Sequence, residues 1–360
     1  MLTTERRGLI LKELALRGTL GVTEFAARAG ISGMTVRRDL AALESEGLLS
    51  RVHGGAVAAD SPAGTERRAR TTRPALATIG MVAPSASYYF PGIIRGAEAA
   101  AQDLGVRLVL GVSKYSPAEE RLQIQRLLAS GVDGLLVTPS QESLAGTPTL
   151  EMLAAAAVPV VVVERSIDGV NDPGSLESVG SDHVRGSEIA VNHLLGLGHQ
   201  RIALCARDSS PTATPLREGY RLALQMAGHA YDPGLVLAIT PAPTDPDALR
   251  RQLGGILDRL AEAGVTAVIV HNDEDALSFA ETCQERGLRI PVDLALVAYD
   301  DEIASLGAVP LSAVAPPKFD VGYQALQMCL NRISSRRGTS PALQRVTLAP
   351  TLVVRDSTVS

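Results

Sequence analysis

The sequence predicts an α/β protein in two parts, a small and mostly helical amino-terminal module followed by a large body of two doubly wound lobes. Three observations carry that prediction. Residues 1–57 show dense helical periodicity that ends in a short strand–turn–strand pattern. From Thr78 onward, short β-branched runs alternate with amphipathic stretches, which is how a parallel sheet covered by helices on both faces reads. The chain has 360 residues, 46% of them hydrophobic and 20% charged, which suits two or three packed domains and excludes a disordered chain.

No apolar run approaches the roughly 18 residues of a membrane-spanning helix, and the longest, Leu153 to Val163, is interrupted by Pro159. Residues 1–12 mix Glu5, Arg6 and Arg7 with apolar positions and show no signal-peptide core, so a cytoplasmic location and no membrane partner are expected. Cys205, Cys283 and Cys329 are odd in number and widely spaced inside apolar stretches. That favours a reducing compartment over a disulfide framework or a zinc site. The net charge of −5 is unevenly spread. Residues 1–75 carry 12 Lys/Arg against 8 Asp/Glu, and the remainder 22 against 31. A basic module on an acidic body suits a nucleic-acid reader joined to a second function.

In the module, Thr3 or Thr4 caps a helix running to about Arg17, where Gly18 stops it. Val22 and Thr23 open a second helix with Phe25, Ala26 and Ala29 as its inner stripe, stopped by Gly30. Ile31 makes the turn, and Ser32 caps a third helix to about Glu46, closed by Gly47. Two helices joined by so short a Gly-containing turn form a helix-turn-helix, whose second helix enters the major groove of double-stranded DNA. On that helix Val36, Leu40 and Leu43 face inward. Ser32, Gly33, Met34, Thr35, Arg37 and Arg38 cluster at its exposed start, where small and cationic residues suit base edges and phosphates. LLSRVHGGAV (48–57) reads as strand, Gly-Gly turn and strand, a wing from which Arg51 and His53 touch the DNA backbone. The opening ERRGLILKEL, the run TEFAARAGISGMTVRRDLAALESEGLLSRVHGGAV and its closing RVHGG resemble the winged helix-turn-helix of the DeoR family of sugar-operon repressors. Residues 58–77, with Pro62, Pro74 and several arginines but no apolar stripe, read as a linker.

The body, 78–355, holds the strand-like runs TIGMV (78–82), RLVLGV (107–112), GLLVT (134–138), VPVVVVE (158–164), RIALC (201–205), AVIVH (267–271) and LALVAY (294–299). Helix-period segments such as 92–104 and 118–130 lie between them. In such sheets ligands bind at the carboxyl ends of strands. The chain has no Trp and only 7 Tyr and 4 Phe, yet Tyr88, Tyr89 and Phe90 are consecutive just after the first run. Sugars offer C–H faces to aromatic rings and hydroxyls to charged planar groups. Core packing of a loop is the alternative reading of each ring. Glu164 and Arg165 follow four valines, a buried carboxylate–guanidinium pair whose remaining bonds a polyhydroxyl ligand completes.

The runs IGMV…YYFPGIIRGAEAAA, GVDGLLVTP, VPVVVVERSIDG, GSDHVRGSEIAVNHLLGLGHQRIAL, LREGYRLAL, NDEDAL, GLRIPVDLALVAYDD and TLVVRDST resemble the effector domain of LacI-family regulators and the related periplasmic sugar-binding proteins. The resemblance implies a bilobed, type I periplasmic-binding-protein-like domain. It also implies that Tyr89 and Phe90 sandwich a sugar ring, beside Tyr88, and that Glu164, Arg165, Arg217, Asn272 and Asp300 meet its oxygens, with Lys318 near a further ligand position. Glu164 and Ala298 stand where relatives carry Asp and Gly. Asp273 and Asp301 read as helix caps. The LacI hinge-helix signature is absent before Thr78, so the chain reads as a hybrid of a DeoR-like reader and a LacI-like sensor.

The sequence has no Walker loop, GxSxG, HExxH or CxxC; GSDHVRGSE (180–188) reads as a strand-to-helix turn, and the six histidines are scattered. No catalysis, metal or cofactor is expected. The expected protein is a homodimeric repressor that binds a double-stranded DNA operator and answers a small effector. That effector is expected to be an uncharged monosaccharide, with nucleobases the next ligand class. Glu164 and Asp300 oppose a sugar phosphate. The rival readings are a sugar- or nucleobase-binding transport protein without a regulatory role, which the reading module disfavours, and a nucleoside or sugar enzyme, which the absent motifs disfavour.

Overall fold

The computed structural model describes residues 3–17, 19–45, 49–52, 55–58, 75–167, 170, 176–240, 245–335 and 342–359. The chain divides into two compact units, Met1–Pro74 and Ala75–Ser360. Most of the expected linker, His53 and the stops at Gly18 and Gly47 lie outside the described residues.

The first unit runs α1 (Thr3–Arg17), β1 (Thr19–Gly21), α2 (Val22–Ala29), α3 (Gly33–Ser45), β2 (Leu49–Val52) and β3 (Gly55–Ala58). Helix α2 ends where Gly30 takes φ 64°, a left-handed conformation that costs glycine nothing, and the Gly30 N–H reaches back to the Ala26 and Ala27 carbonyls. The Ser32 hydroxyl then caps α3 by accepting from the Thr35 N–H at 3.2 Å. The expected wing is present, and β3 also pairs antiparallel with the unexpected β1, giving the order β1-β3-β2. Ile10, Leu14, Phe25, Val36, Leu40 and Leu43 from the three helices close one core.

The second unit contains two six-stranded sheets. One lobe comprises β4 (Thr78–Ala83), α4 (Phe90–Asp103), β5 (Arg107–Val112), α5 (Pro117–Ala129), β6 (Gly134–Val137), α6 (Pro148–Ala154), β7 (Val160–Val163) and β8 (Glu177–Ser181). The other comprises α7 (His183–Gly196), β9 (Ile202–Ala206), α8 (Ala213–Met226), β10 (Val236–Ala238), α9 (Pro246–Glu262), β11 (Ala267–His271), α10 (Asp273–Glu285), β12 (Ala295–Tyr299) and β13 (Ser312–Ala315). The chain then returns to the first lobe as α11 (Lys318–Ser334) and β14 (Arg345–Leu348), and crosses back as β15 (Thr351–Val353). The sheet orders are β5-β4-β6-β7-β8-β14 and β10-β9-β11-β12-β13-β15, parallel throughout except where β15 meets β13.

In the inner strands, alternating residues face opposite helical layers, which is why those runs read as continuously apolar. Val161 and Val163 pack with α4 and α11, while Val160 and Val162 pack with α5 and α6. The seven expected strands are all present. Strands β8, β10, β13, β14 and β15 were not expected, because they are short, polar or alternate at an edge. Ser357 and Thr358, beyond the expected end at 355, are buried, and the Ser357 hydroxyl bonds the Leu296 carbonyl at 2.6 Å. The three cysteines are buried and free, and burial pushes each thiol up to about 12.

Candidate functional site

The first candidate surface is the start of α3. Met34 is 65% exposed, and Arg37 and Arg38 point to solvent with no ion-pair partner among the described residues. Their neighbour Asp39 turns the other way and is buried. It meets Arg6, whose Nη2 lies 3.2 Å away, and Arg7 at 3.4 Å. Burial alone would raise that carboxyl, but the two guanidiniums outweigh it and hold it below its ordinary range. Asp39 thus ties α3 to α1 and frees the adjacent arginines. Its inward position follows from the stripe Val36–Asp39–Leu40–Leu43, a signal the motif reading did not use. Arg51 lies in β2 opposite Ala56.

The second candidate is the cleft between the lobes, about 620 Å³, in the range of small-molecule sites. Tyr88, Tyr89 and Phe90 after β4, Tyr115 after β5, Ser140 after β6 and Arg165 after β7 line one side. His183 at the start of α7, Arg207 after β9, His271 and Asn272 at the end of β11, Glu274 and Asp300 line the other. A second chamber of about 530 Å³ adjoins it past Arg165 and His183. Among the described residues, the non-glycine positions with positive φ are Tyr88, Lys114, Tyr115, Glu164, Asp300 and Asp301. All follow strand ends around the cleft, and strain concentrated there is typical of a ligand clamp.

Glu164 and Arg165 do not form the expected pair. The Glu164 carboxylate is buried, accepting from the Ser181 N–H at 3.1 Å, the Ser181 hydroxyl at 2.7 Å and the Tyr89 hydroxyl at 3.0 Å. Burial would raise it; His183, whose Nε2 lies 3.6 Å away, and Ser181 overcome that and bring it to about 2. Arg165 instead donates from Nη1 to the Glu164 carbonyl at 2.6 Å, and its buried Nε has no partner among the described residues. Buried His271 is similar. Its Nδ1 has no hydrogen-bond partner among the described residues, and burial, with His183 and Arg207, pushes the ring down to about 3, so it stays neutral. Orphaned buried N–H and N groups of this kind mark places for a ligand to bond.

The structure brings Tyr88, Tyr89, Phe90, Arg165, Asn272 and Asp300 of the expected set to the cleft lining. Phe90 is only 3% exposed and sits mostly in the core, edge-on to Tyr89 at 5.5 Å. The Asn272 side-chain oxygen caps α10 by accepting from the Asp275 N–H at 3.2 Å, leaving its amide N–H groups for a ligand. Arg217 lies outside the lining and pairs with Asp208 at the surface. Arg207 supplies the guanidinium on that side, held by Asp275 through two bonds of 2.6 Å. Lys318 also lies outside the lining. Its ammonium bonds the Asp300 carbonyl and Glu302 and stands 5.2 Å above the Tyr89 ring, covering one stacking face. Tyr115, His183, Arg207 and His271 were missed. The histidines and Arg207 sit at strand ends or a helix start, the position that pointed to the others. Among the described residues no group of three His, Cys, Asp or Glu side chains could hold a metal ion, and no helix is long and apolar enough to cross a membrane.

Comparison with known proteins agrees with both halves. Residues 6–62 match the model of the DeoR-like helix-turn-helix domain, and residues 191–358 match that of the periplasmic binding protein-like domain. The HTH-type transcriptional regulator DegA of Bacillus subtilis is 31% identical over 283 residues, 78% of this chain and 80% of that protein. The arabinose metabolism transcriptional repressor of Geobacillus stearothermophilus is 29% identical over 342 residues, 93% and 90% of the two chains. Among solved structures, the complex of the transcriptional regulator CelR with cellobiose superposes with a TM-score of 0.66 at 27% identity, over 92% of this chain and 98% of that one. These relatives are regulators, not enzymes. With a DeoR-like reading head on a periplasmic-binding-protein-like body, the chain belongs to the family of LacI-type helix-turn-helix transcriptional regulators.

Proposed function

We propose that the chain is a cytoplasmic homodimeric repressor whose DNA affinity is set by a small carbohydrate bound between the two lobes of its body. The observation that carries the effector class is the composition of the cleft. Tyrosine rings offer stacking faces, while Arg165, His271, Asn272 and Asp300 offer donors and acceptors from both lobes, two of them with unsatisfied buried nitrogens. A ligand bonded to both lobes prefers one arrangement of them, and that preference is what it can transmit to the reading head. The arabinose-metabolism relative and the CelR–cellobiose complex support a carbohydrate. Edge strand β5, which exposes Val109 and Leu110, supports a contact between copies.

Isothermal calorimetry across free aldoses, disaccharides, sugar phosphates and purines tests the effector class. A free sugar is expected to bind. Binding restricted to phosphorylated sugars or to purines contradicts it. For the DNA surface, Arg37→Ala with Arg38→Ala is expected to lower DNA affinity and to flatten its salt dependence, by about 0.9 in log–log slope for each phosphate no longer neutralised. Unchanged affinity and slope in a filter-binding salt titration contradict that assignment.

A further inference from the structure

The Tyr88 hydroxyl crosses the cleft. Tyr88 belongs to the loop between β4 and α4 on one lobe, and its oxygen lies within hydrogen-bond distance of Asp273 Oδ1 and 3.1 Å from Asp300 Oδ2 on the other. The backbone accepts φ 59° at Tyr88, a conformation an aromatic residue holds only when its surroundings impose it. A phenol has one proton for two carboxylates. Asp273 is fully buried and already anchored, accepting from the N–H groups of Glu302 at 2.7 Å, Ile303 at 2.7 Å and Ala304 at 3.2 Å. Asp300 has no such set. Lys318 engages its main-chain carbonyl and the Glu302 carboxylate, and His271 Nε2 stays 3.9 Å away. Among the described residues, Tyr88 is therefore the one hydroxyl or N–H group within hydrogen-bond distance of the Asp300 carboxylate.

We propose that Tyr88 holds the place of an effector hydroxyl: its phenol bridges the lobes when the cleft is empty, and the effector binds by putting a hydroxyl of its own on Asp300 instead. This rests on the carbohydrate reading of the cleft and adds a specificity rule to it. A sugar with a donor at the right position exchanges one hydrogen bond for another and keeps its remaining contacts as net affinity. A deoxy analogue lacking that hydroxyl leaves Asp300 unpartnered if Tyr88 moves, or meets the phenol if it does not. Because the Tyr88 bridge exists only in the free state, removing it destabilises that state alone and tightens binding.

Tyr88→Phe keeps the ring and removes the bridge, and two measurements read it. The first needs no ligand. Spin labels at Glu98→Cys on α4 and Met226→Cys on α8, with the native cysteines buried, report the distance between lobes. The ligand-free variant is expected to show a broader, longer distribution than the wild type. An unchanged distribution overturns the bridge whatever the cleft binds. The second is calorimetry with L-arabinose, D-ribose, D-glucose and cellobiose and their deoxy analogues. The variant is expected to bind the preferred sugar several-fold to tenfold more tightly. Equal or weaker binding shows that the phenol stays on Asp300 or touches the sugar directly, and overturns the competition. If neither protein binds any of these sugars, the carbohydrate reading fails, and the competition falls with it while the distance measurement still decides the bridge.

Discussion

Burial pushes the Asp300 carboxyl up to about 7, with Lys318 opposing the rise and Asp273 adding to it. An unfolded aspartate titrates near 3.9, so the fold disfavours the ionised form. Its contribution to stability is fully present below about pH 4 and is lost as pH rises toward 7. Ligand binding runs the other way. An effector hydroxyl donates better to the carboxylate than to the acid, so affinity is expected to rise between pH 6 and 8, by up to about tenfold from the change in ionised fraction. Calorimetry at both values checks this, and Asp300→Asn is expected to weaken binding and erase the slope. The same slope in the variant would assign the pH dependence elsewhere. Glu164 is the opposite case, a carboxylate held by Ser181 and Tyr89 within its own lobe and met by His183 from the other. Glu164→Leu strands the Ser181 N–H and two hydroxyls, and is expected to cost about 3 kcal/mol in urea unfolding. A deficit below about 1 kcal/mol would mean that those donors find water. At this scale the sequence was partly legible. Strand-end position found Arg165, Asn272 and Asp300. Arg207 and Arg217 are separated by a loop and a turn of helix, and which of them faces the cleft is settled by the packing of α8, not by residue type.

Helices α4 and α11 support the cleft's first wall: the amino terminus of α4 carries Phe90 of the lining, and that of α11 carries Lys318, which backs the Tyr89 ring. Their close approach depends on glycine. A Cβ at Gly96 would collide with the Phe319 carbonyl, and one at Gly322 with the Ile93 carbonyl. Both obstacles are backbone, which cannot swing aside. Gly96→Val is expected to cost at least the upper end of the roughly 1–3 kcal/mol of overpacking and to weaken effector binding along with stability. A variant as stable as the wild type by thermal melting would contradict the packing. Six of the seven strands were readable because each lies between two helical layers and must be apolar on both faces, and edge strand β5 because its exposed positions Val109 and Leu110 are apolar too. Strands β14 and β15 carry exposed alternate residues at a sheet edge, and β8 contains Glu177, buried only because Arg332 and the Gln344 N–H meet it. Such strands depend on partners distant in sequence, which local pattern does not register.

The whole molecule joins a reader with exposed arginines to a body whose cleft is lined by both lobes, and occupancy of the cleft is proposed to govern the reader. The basic and acidic halves of the sequence already separated the two tasks, and the motifs placed each one. Coupling was not legible, since it resides in the equilibrium between lobe arrangements. Fluorescence anisotropy of an operator selected from random DNA reads that coupling without intermediaries, titrated with the full chain with and without the sugar identified by calorimetry. Saturating sugar is expected to shift operator affinity by roughly 5–150-fold. At the sugar concentration that saturates the wild type, Asp300→Asn is expected to keep operator affinity but reduce the shift, while Arg37→Ala with Arg38→Ala lowers operator affinity itself. A sugar that binds the cleft and leaves operator affinity unchanged would contradict the coupling.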